Sequence, residues 1–188
     1  MLTALPGEKK IEGLQQQSSR HRQLALLGAL CLFLSAVEYM IPKPLPFLRI
    51  GLANLPLMLA CDILPLPSFF ILVWIKITGQ ALITGTLFSY IFLFSMTGTL
   101  LSAFFMFFLR RLLGNERITF IGIGTAGAVI SNVSQLALAY VFIFRENVRY
   151  IAPLFLLIGL LTGIVLGIFC EAFTRKSLWH KEQLGMRN

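Results

Sequence analysis

Residues 150–172 read YIAPLFLLIGLLTGIVLGIFCEA, with Glu171 as the single formal charge. At about 1.5 Å of rise per residue this run extends about 34 Å as a helix, enough to cross a hydrocarbon core of about 30 Å. It has no polar face to turn toward water, so it reads as a membrane span rather than the half-buried helix of a soluble domain. Gly159, Gly163, Gly167 and Glu171 recur every fourth residue and share one line of the helix. A glycine line lets a second backbone approach closely, which is how helices associate where lipid removes the hydrophobic incentive. The stripe therefore reads as an internal packing seam, and Glu171, close to the helix end, as a residue that reaches the interface rather than a catalytic acid.

Outward from this run, five further apolar segments follow the same logic, at about 23–41, 50–64, 68–88, 90–109 and 118–144. The second is short, and the third meets the fourth through almost no loop. Of the 188 residues 57% are hydrophobic and 13% charged, against about 25% charged in an average soluble domain. The expectation is an all-α integral membrane protein with six transmembrane helices: a basic N-terminal segment 1–22, a membrane domain 23–173 and a basic tail 174–188. The first apolar run resembles a signal peptide, but it is too long and "LSAV" is a poor cleavage site, so it is kept as a permanent helix. Cys31, Cys61 and Cys170 lie singly in apolar segments and read as small hydrophobes, with no disulfide framework and no metal site.

The net charge of +8 is a matter of topology, not of nucleic-acid binding. Lys9, Lys10, Arg20 and Arg22, then Arg110, Arg111 and Arg117, then Arg175, Lys176, Lys181 and Arg187 fall on one side, eleven against the four of Lys43, Arg49, Arg145 and Arg149. The positive-inside rule places both termini in the cytoplasm.

Inside the spans, polar residues are few and placed. Lys76, Gln80 and Thr84 share a helix line in the third segment, and an ionisable residue at that depth must face the bundle or water. Asp62 is the expected partner of Lys76, either as a structural pair or as part of a functional site. Glu38 is positioned to pair with Arg49. Gly122, Gly124 and Gly127 fit the spacing G-x-G-x-x-G, but a dinucleotide site needs a preceding strand, so they read as packing. Ser131, Asn132, Ser134 and Gln135 put hydroxyls and amides into the middle and outer half of the fifth segment, where interhelical glue and a binding site are both open readings. Ala25 and Ala29, with Gly28 beside them, form a small-xxx-small pair on the first helix, weak evidence alone.

The stretch 49–56, RIGLANLP, enters the second segment with a guanidinium, a glycine, an amide and a proline. Gly51 and Pro56 read as devices that bend the entry, and Asn54 as a partner for backbone groups so freed. Before it, PKPLPFL at 42–48 is too proline-rich for a helix and reads as a stiff lid.

RIGLANLP resembles the entry to the second helix in substrate-binding S components of energy-coupling-factor (ECF) vitamin transporters. The stretch 79–106, GQALITGTLFSYIFLFSMTGTLLSAFFM, is similar more narrowly to the heptaprenyl diphosphate synthase component I family, also called Gx transporter, over most of residues 23–173. The resemblance implies an S-component-like bundle in a prokaryotic cytoplasmic membrane. Ala25 and Ala29 would dock a membrane coupling subunit that in turn binds two ATPases. A small-molecule ligand would bind near the outer face at Arg49, Asn54, Ser95, Asn132 and Gln135, of which only Arg49 and Asn54 lie in the matched stretch. The outer tryptophan or carboxylate cluster of a vitamin site is not evident here.

The expectation is a non-enzymatic subunit that captures a vitamin-like or amphipathic molecule for uptake, with no cofactor of its own. The alternative is a structural membrane subunit of a flavin-based electron-transfer or quinone-linked complex. An accessory role in heptaprenyl diphosphate synthesis ranks third, because Asp62 is the only aspartate and magnesium pyrophosphate needs a carboxylate cluster. There is no P-loop, so ATP use would belong to a partner.

Overall fold

The computed structural model describes residues 6–42 and 51–177. Within them the chain is helical throughout: α1 (Pro6–Met40), a 3-10 turn (Leu52–Asn54) leading into α2 (Leu55–Ile63), α3 (Leu66–Ile83), α4 (Tyr90–Arg117), α5 (Phe120–Ala139) continued by a π-helical turn (Tyr140–Phe144), and α6 (Val148–Lys176). Local chemistry sets the boundaries. Ser89 Oγ accepts the Ile91 N–H at 3.3 Å to start α4, and Thr119 Oγ1 accepts the Gly122 N–H at 3.3 Å to start α5. Pro56 and Pro67 sit in the first turns of α2 and α3, where a missing N–H leaves nothing unpaired.

Among the described residues, five stretches are long and apolar enough to cross a bilayer: Gln17–Met40, Leu66–Ile83, Tyr90–Gly114, Phe120–Ile143 and Arg145–Lys176. The second expected segment, about 50–64, is among the described residues only Leu52–Ile63, about 18 Å as a helix, a little over half of what a full crossing needs. Six of the nine residues of α2 are buried, so protein rather than lipid surrounds most of it.

Cross-helix contacts fix the directions. Gly28 meets Ile75 and Gly79 meets Leu32, so α1 and α3 run parallel. Phe69 stacks near Phe107 and Phe70 near Phe104, so α3 and α4 are antiparallel. Gly98 meets Gln135 and Gly127 meets Met106, which makes α4 and α5 antiparallel, and the α5–α6 contacts reverse again. The bundle thus has an upper end, at Met40, the 84–89 turn and the 140–147 connection, and a lower end, at the 64–65 turn, Ile118 and Lys176.

The glycine line of α6 is the packing seam that its spacing implies. A Cβ on Gly163 would lie 2.9 Å from the Gly124 carbonyl oxygen, and one on Gly167 would lie 2.5 Å from Ile121 Cα. Gly124 and Gly127 serve the same close packing on α5, the latter against Met106 and Ser102. Meanwhile Leu154, Leu157, Leu161, Val165 and Ile168 on the other faces of α6 are more than half exposed. Small residues inside and large apolar residues outside invert the order expected in water and suit a lipid-facing surface. The protein is a multi-pass membrane protein.

Candidate functional site

The polar groups of the spans are gathered at two heights. In the upper half, α1, α3, α4, α5, α6 and the turn leading into α2 contribute to one small chamber. Its wall includes Glu38 near the end of α1, Gly51 and Asn54 at the entry to α2, Lys76 and Gln80 on α3, Thr99 on α4, Ser131 and Asn132 on α5, and Gly159 and Thr162 on α6. The free space is about 30 Å³, room for about one water molecule.

The chamber is built around a left-handed glycine. Gly51 has φ 85° and ψ 19°, a conformation open to glycine at no steric cost, and this turn presents its N–H to Glu38 Oε2 at 3.1 Å. Three residues on, Asn54 makes no side-chain cap to α2. Its Oδ1 instead accepts a hydrogen bond from the Lys76 ammonium. The expected role of Asn54 as a partner for freed backbone is therefore replaced by one facing a buried cation. Pro56 likewise starts a regular helix rather than unwinding one.

Opposite, Asn132 is 4% exposed and donates from Nδ2 to the Phe155 carbonyl at 3.1 Å. It lies so close to α6 that a Cβ on Gly159 would fall 1.6 Å from that nitrogen. Here glue and chamber wall are the same residue. Gln80, also 4% exposed, has its Oε1 buried without a hydrogen-bond partner. For a buried amide oxygen that is an unmet demand worth about 1–3 kcal/mol.

Of the residues expected to bind ligand, Asn54 and Asn132 line the chamber. Ser95 and Gln135 do not. Both are buried about one turn further toward the upper end, and Gln135 donates to Ser131 Oγ at 3.0 Å while packing against Gly98 at the α4–α5 seam. Arg49, its expected pairing with Glu38, and most of the 42–48 lid lie outside the described residues. Gln80, Glu38, Thr99 and Thr162 are among the wall residues that the sequence did not mark as ligand contacts, although the Lys76–Gln80 line already aimed one of them inward.

The lower site corrects the expected Lys76–Asp62 pair. Asp62 accepts two hydrogen bonds from Arg110, Nε to Oδ1 at 2.6 Å and Nη2 to Oδ2 at 2.7 Å. Arg110 also donates from Nη1 to the Ile118 carbonyl and stacks over the Phe120 ring at 4.6 Å. The side chains of Arg110 and Asp62 are 7% and 2% exposed. The reason is height: Asp62 lies eight residues beyond Asn54, about 12 Å along that segment, and Lys76 meets the chain at Asn54. Arg110, counted from the sequence as a loop charge, belongs to an α4 that continues past it. Beside this clasp, Glu171 Oε2 accepts the Phe120 N–H at 3.1 Å and so caps α5.

On the outside of α1, Ala25 and Ala29 are exposed, while Gly28 is buried against Ile75 at 3.5 Å. Between α1, α2 and α6 runs an all-apolar groove of about 510 Å³, with Leu34, Leu52, Leu59, Leu166 and Phe169 among its walls.

Membrane-length helices enclosing a polar chamber define a multi-pass membrane protein with an internal polar site. The chain belongs to the heptaprenyl diphosphate synthase component I family, whose profile matches residues 27–173. That span runs from the middle of α1 to the last turns of α6 and contains every described chamber residue. No curated protein and no solved structure matches the chain.

Proposed function

We propose that this chain is the substrate-binding subunit of an energy-coupling-factor-type transporter, taking up a small vitamin-like or amphipathic molecule. The observation that carries the reading is the upper chamber. Groups from five helices and from the turn that leads into α2 converge there, and one of them, Gln80 Oε1, is left without a partner where each unmet polar group is costly. Gln135 Oε1 and Ser102 Oγ at the α4–α5 seam are likewise unpartnered, so what supports the reading is the convergence of charged and polar side chains around a free space rather than the single unmet acceptor. Ligand would displace the water-sized contents and part the walls, with Asn54 and Lys76 on one side and Asn132 on the other.

In this reading the upper end faces outside and both termini are cytoplasmic. Moving Arg110 from the loop count to the interior still leaves ten basic residues against four. The exposed Ala25–Ala29 face of α1 would meet a membrane coupling subunit carrying two ATPases, and the chain itself would perform no chemistry. Its membrane would be the cytoplasmic membrane of a prokaryote.

The test is mass spectrometry of small molecules retained by the detergent-purified chain, with thermal unfolding across a vitamin panel. A retained molecule, or a raised melting temperature that Asn132→Leu abolishes, supports capture. A chain that retains nothing and responds to nothing refutes it.

The water-sized volume of the chamber favours a second reading, a structural subunit of a flavin-based electron-transfer or quinone-linked complex in which the polar cluster only positions helices. Co-purification with flavoproteins, in place of a coupling subunit and ATPases, would select it.

A further inference from the structure

We infer that the apolar groove between α1, α2 and α6 holds an acyl chain of an anionic phospholipid, with the lipid phosphate at Lys176. The inference concerns the outer surface of the bundle and does not rest on ligand capture in the upper chamber.

The groove follows from the shortness of α2, which lies between two helices of membrane-crossing length. Leu55 and Leu59 of α2 form a buried floor, and Val165 and Phe169 of α6, each more than half exposed, form a rim. A recess open to the side of the bundle at this depth meets no water. Hydrocarbon fills it, or its walls lose their dispersion contacts.

The wall composition decides between a lipid chain and a partner helix. Helices of this protein meet through small residues: on one face of α6, a Cβ on Gly163 or Gly167 would lie 2.9 or 2.5 Å from α5 backbone atoms. On the groove face of the same helix, Val165, Phe169 and Phe173 recur every fourth residue. The described lining of the groove holds no glycine, alanine, serine or threonine, and no amide or charge. Such large side chains keep a second backbone at a distance but conform to a flexible acyl chain. Ala25 and Ala29, the small pair of α1, lie outside this lining. The sequence beyond α6, LWHKEQLGMRN at 178–188, carries Lys181, Glu182 and Arg187 and is ill-suited to a wall without polar groups.

The charge at the lower mouth decides the head group. Lys176 follows Phe173 by one turn on the groove line of α6 and is exposed. At a helix end, a lysine lays its stem on apolar surface and carries its ammonium to the level of lipid phosphates. Arg20 and Arg22 of α1 are exposed at the same end. Glu171, the one acid of α6, is committed to the Phe120 N–H and to Arg175. The mouth is therefore basic and complements an anionic head group.

The experiment places the full chain in nanodiscs of equal parts phosphatidylglycerol and phosphatidylcholine, releases it into detergent and counts retained lipid by native mass spectrometry. Phosphatidylglycerol should stay with the chain about fivefold more often than phosphatidylcholine, the effect of one basic residue at a membrane surface. Lys176→Gln should remove most of that preference while lipid is still held. Val165→Trp puts an indole into the groove from an exposed position, so the fold stands and retention of both lipids should fall several-fold. Ile168→Trp, exposed on α6 outside the groove, should leave retention unchanged. Equal retention of the two lipids by wild type overturns the inference, as does an unchanged preference in Lys176→Gln. Retention in Val165→Trp equal to that in Ile168→Trp also overturns it, and is the result expected if a partner helix or another part of this chain fills the groove. None of these results bears on the transporter reading, whose own variant is Asn132→Leu.

Discussion

The two buried polar clusters of this bundle differ in how completely they are satisfied. At the lower end, Arg110 and Asp62 meet through two parallel hydrogen bonds, and the guanidinium spends its remaining capacity on the Ile118 carbonyl and the Phe120 ring. Within the upper chamber, charges and amides share a space with Gln80 Oε1 left over. A fully paired ion pair in a membrane is a fastener. An incompletely paired cluster at similar cost asks what completes it, and on the proposed function the difference separates the part of the protein that holds helices from the part proposed to receive a molecule.

The comparison breaks most sharply at Arg110. Arg110→Ala strands a buried carboxylate and should cost about 3–5 kcal/mol, read as a large drop in melting temperature and loss of monodisperse protein. The double variant Asp62→Leu with Arg110→Met removes both charges and should recover most of the loss. If the single variant melts like wild type, the lower pair is not a fastener.

The next effect separates the two ends of one glycine line. Gly167→Ala pushes a methyl to within 2.5 Å of Ile121 Cα, a backbone atom, and should cost about 1–3 kcal/mol by forcing α5 and α6 apart. Gly159→Ala meets instead the Asn132 side chain. It should cost about 1 kcal/mol, the Phe155 hydrogen bond, yet abolish binding of whatever molecule the wild type retains. Equal losses of stability and equal effects on binding would erase the distinction.

Gln80→Leu sharpens the contrast further. It deletes an unsatisfied acceptor, so the melting temperature should hold or rise slightly while the response to a retained molecule weakens. Smallest in stability is Ala29→Trp, on an exposed face, which should shift unfolding by less than about 0.5 kcal/mol. In a co-expression pull-down it should nevertheless lose the coupling subunit and ATPases that the transporter proposal assigns to this face.

How much of this was legible in the sequence follows from how local each signal is. The span of α6 and its glycine seam are written in one helix, in the absence of charge and the four-residue spacing, and both are present in the structure. The shortness of the second segment was also visible, because length is local. The partner of Asp62 was not: Arg110 lies 48 residues away, at the edge of an apolar run where a basic residue ordinarily marks a loop. Lys76 was correctly placed inside the bundle by its cost in lipid, but its height relative to Asn54 and Asp62 depends on how α2 enters. Among the ligand contacts named by depth and chemistry, Asn132 reached the chamber while Ser95 and Gln135 stopped one turn away. Depth along a helix is readable, but the meeting point of six helices is not.

The shortness of α2 also bears on how the protein is made. Leu52–Ile63 is too brief to be held by a bilayer on its own, and it carries Asp62, whose counter-charge is synthesised 48 residues later. Until Arg110 emerges, a nascent chain must keep an acidic half-helix out of hydrocarbon. The pairing predicts that α2 seats late in biogenesis, when α4 arrives, and that a ribosome-stalled chain ending before residue 110 leaves Asp62 reachable from the aqueous side.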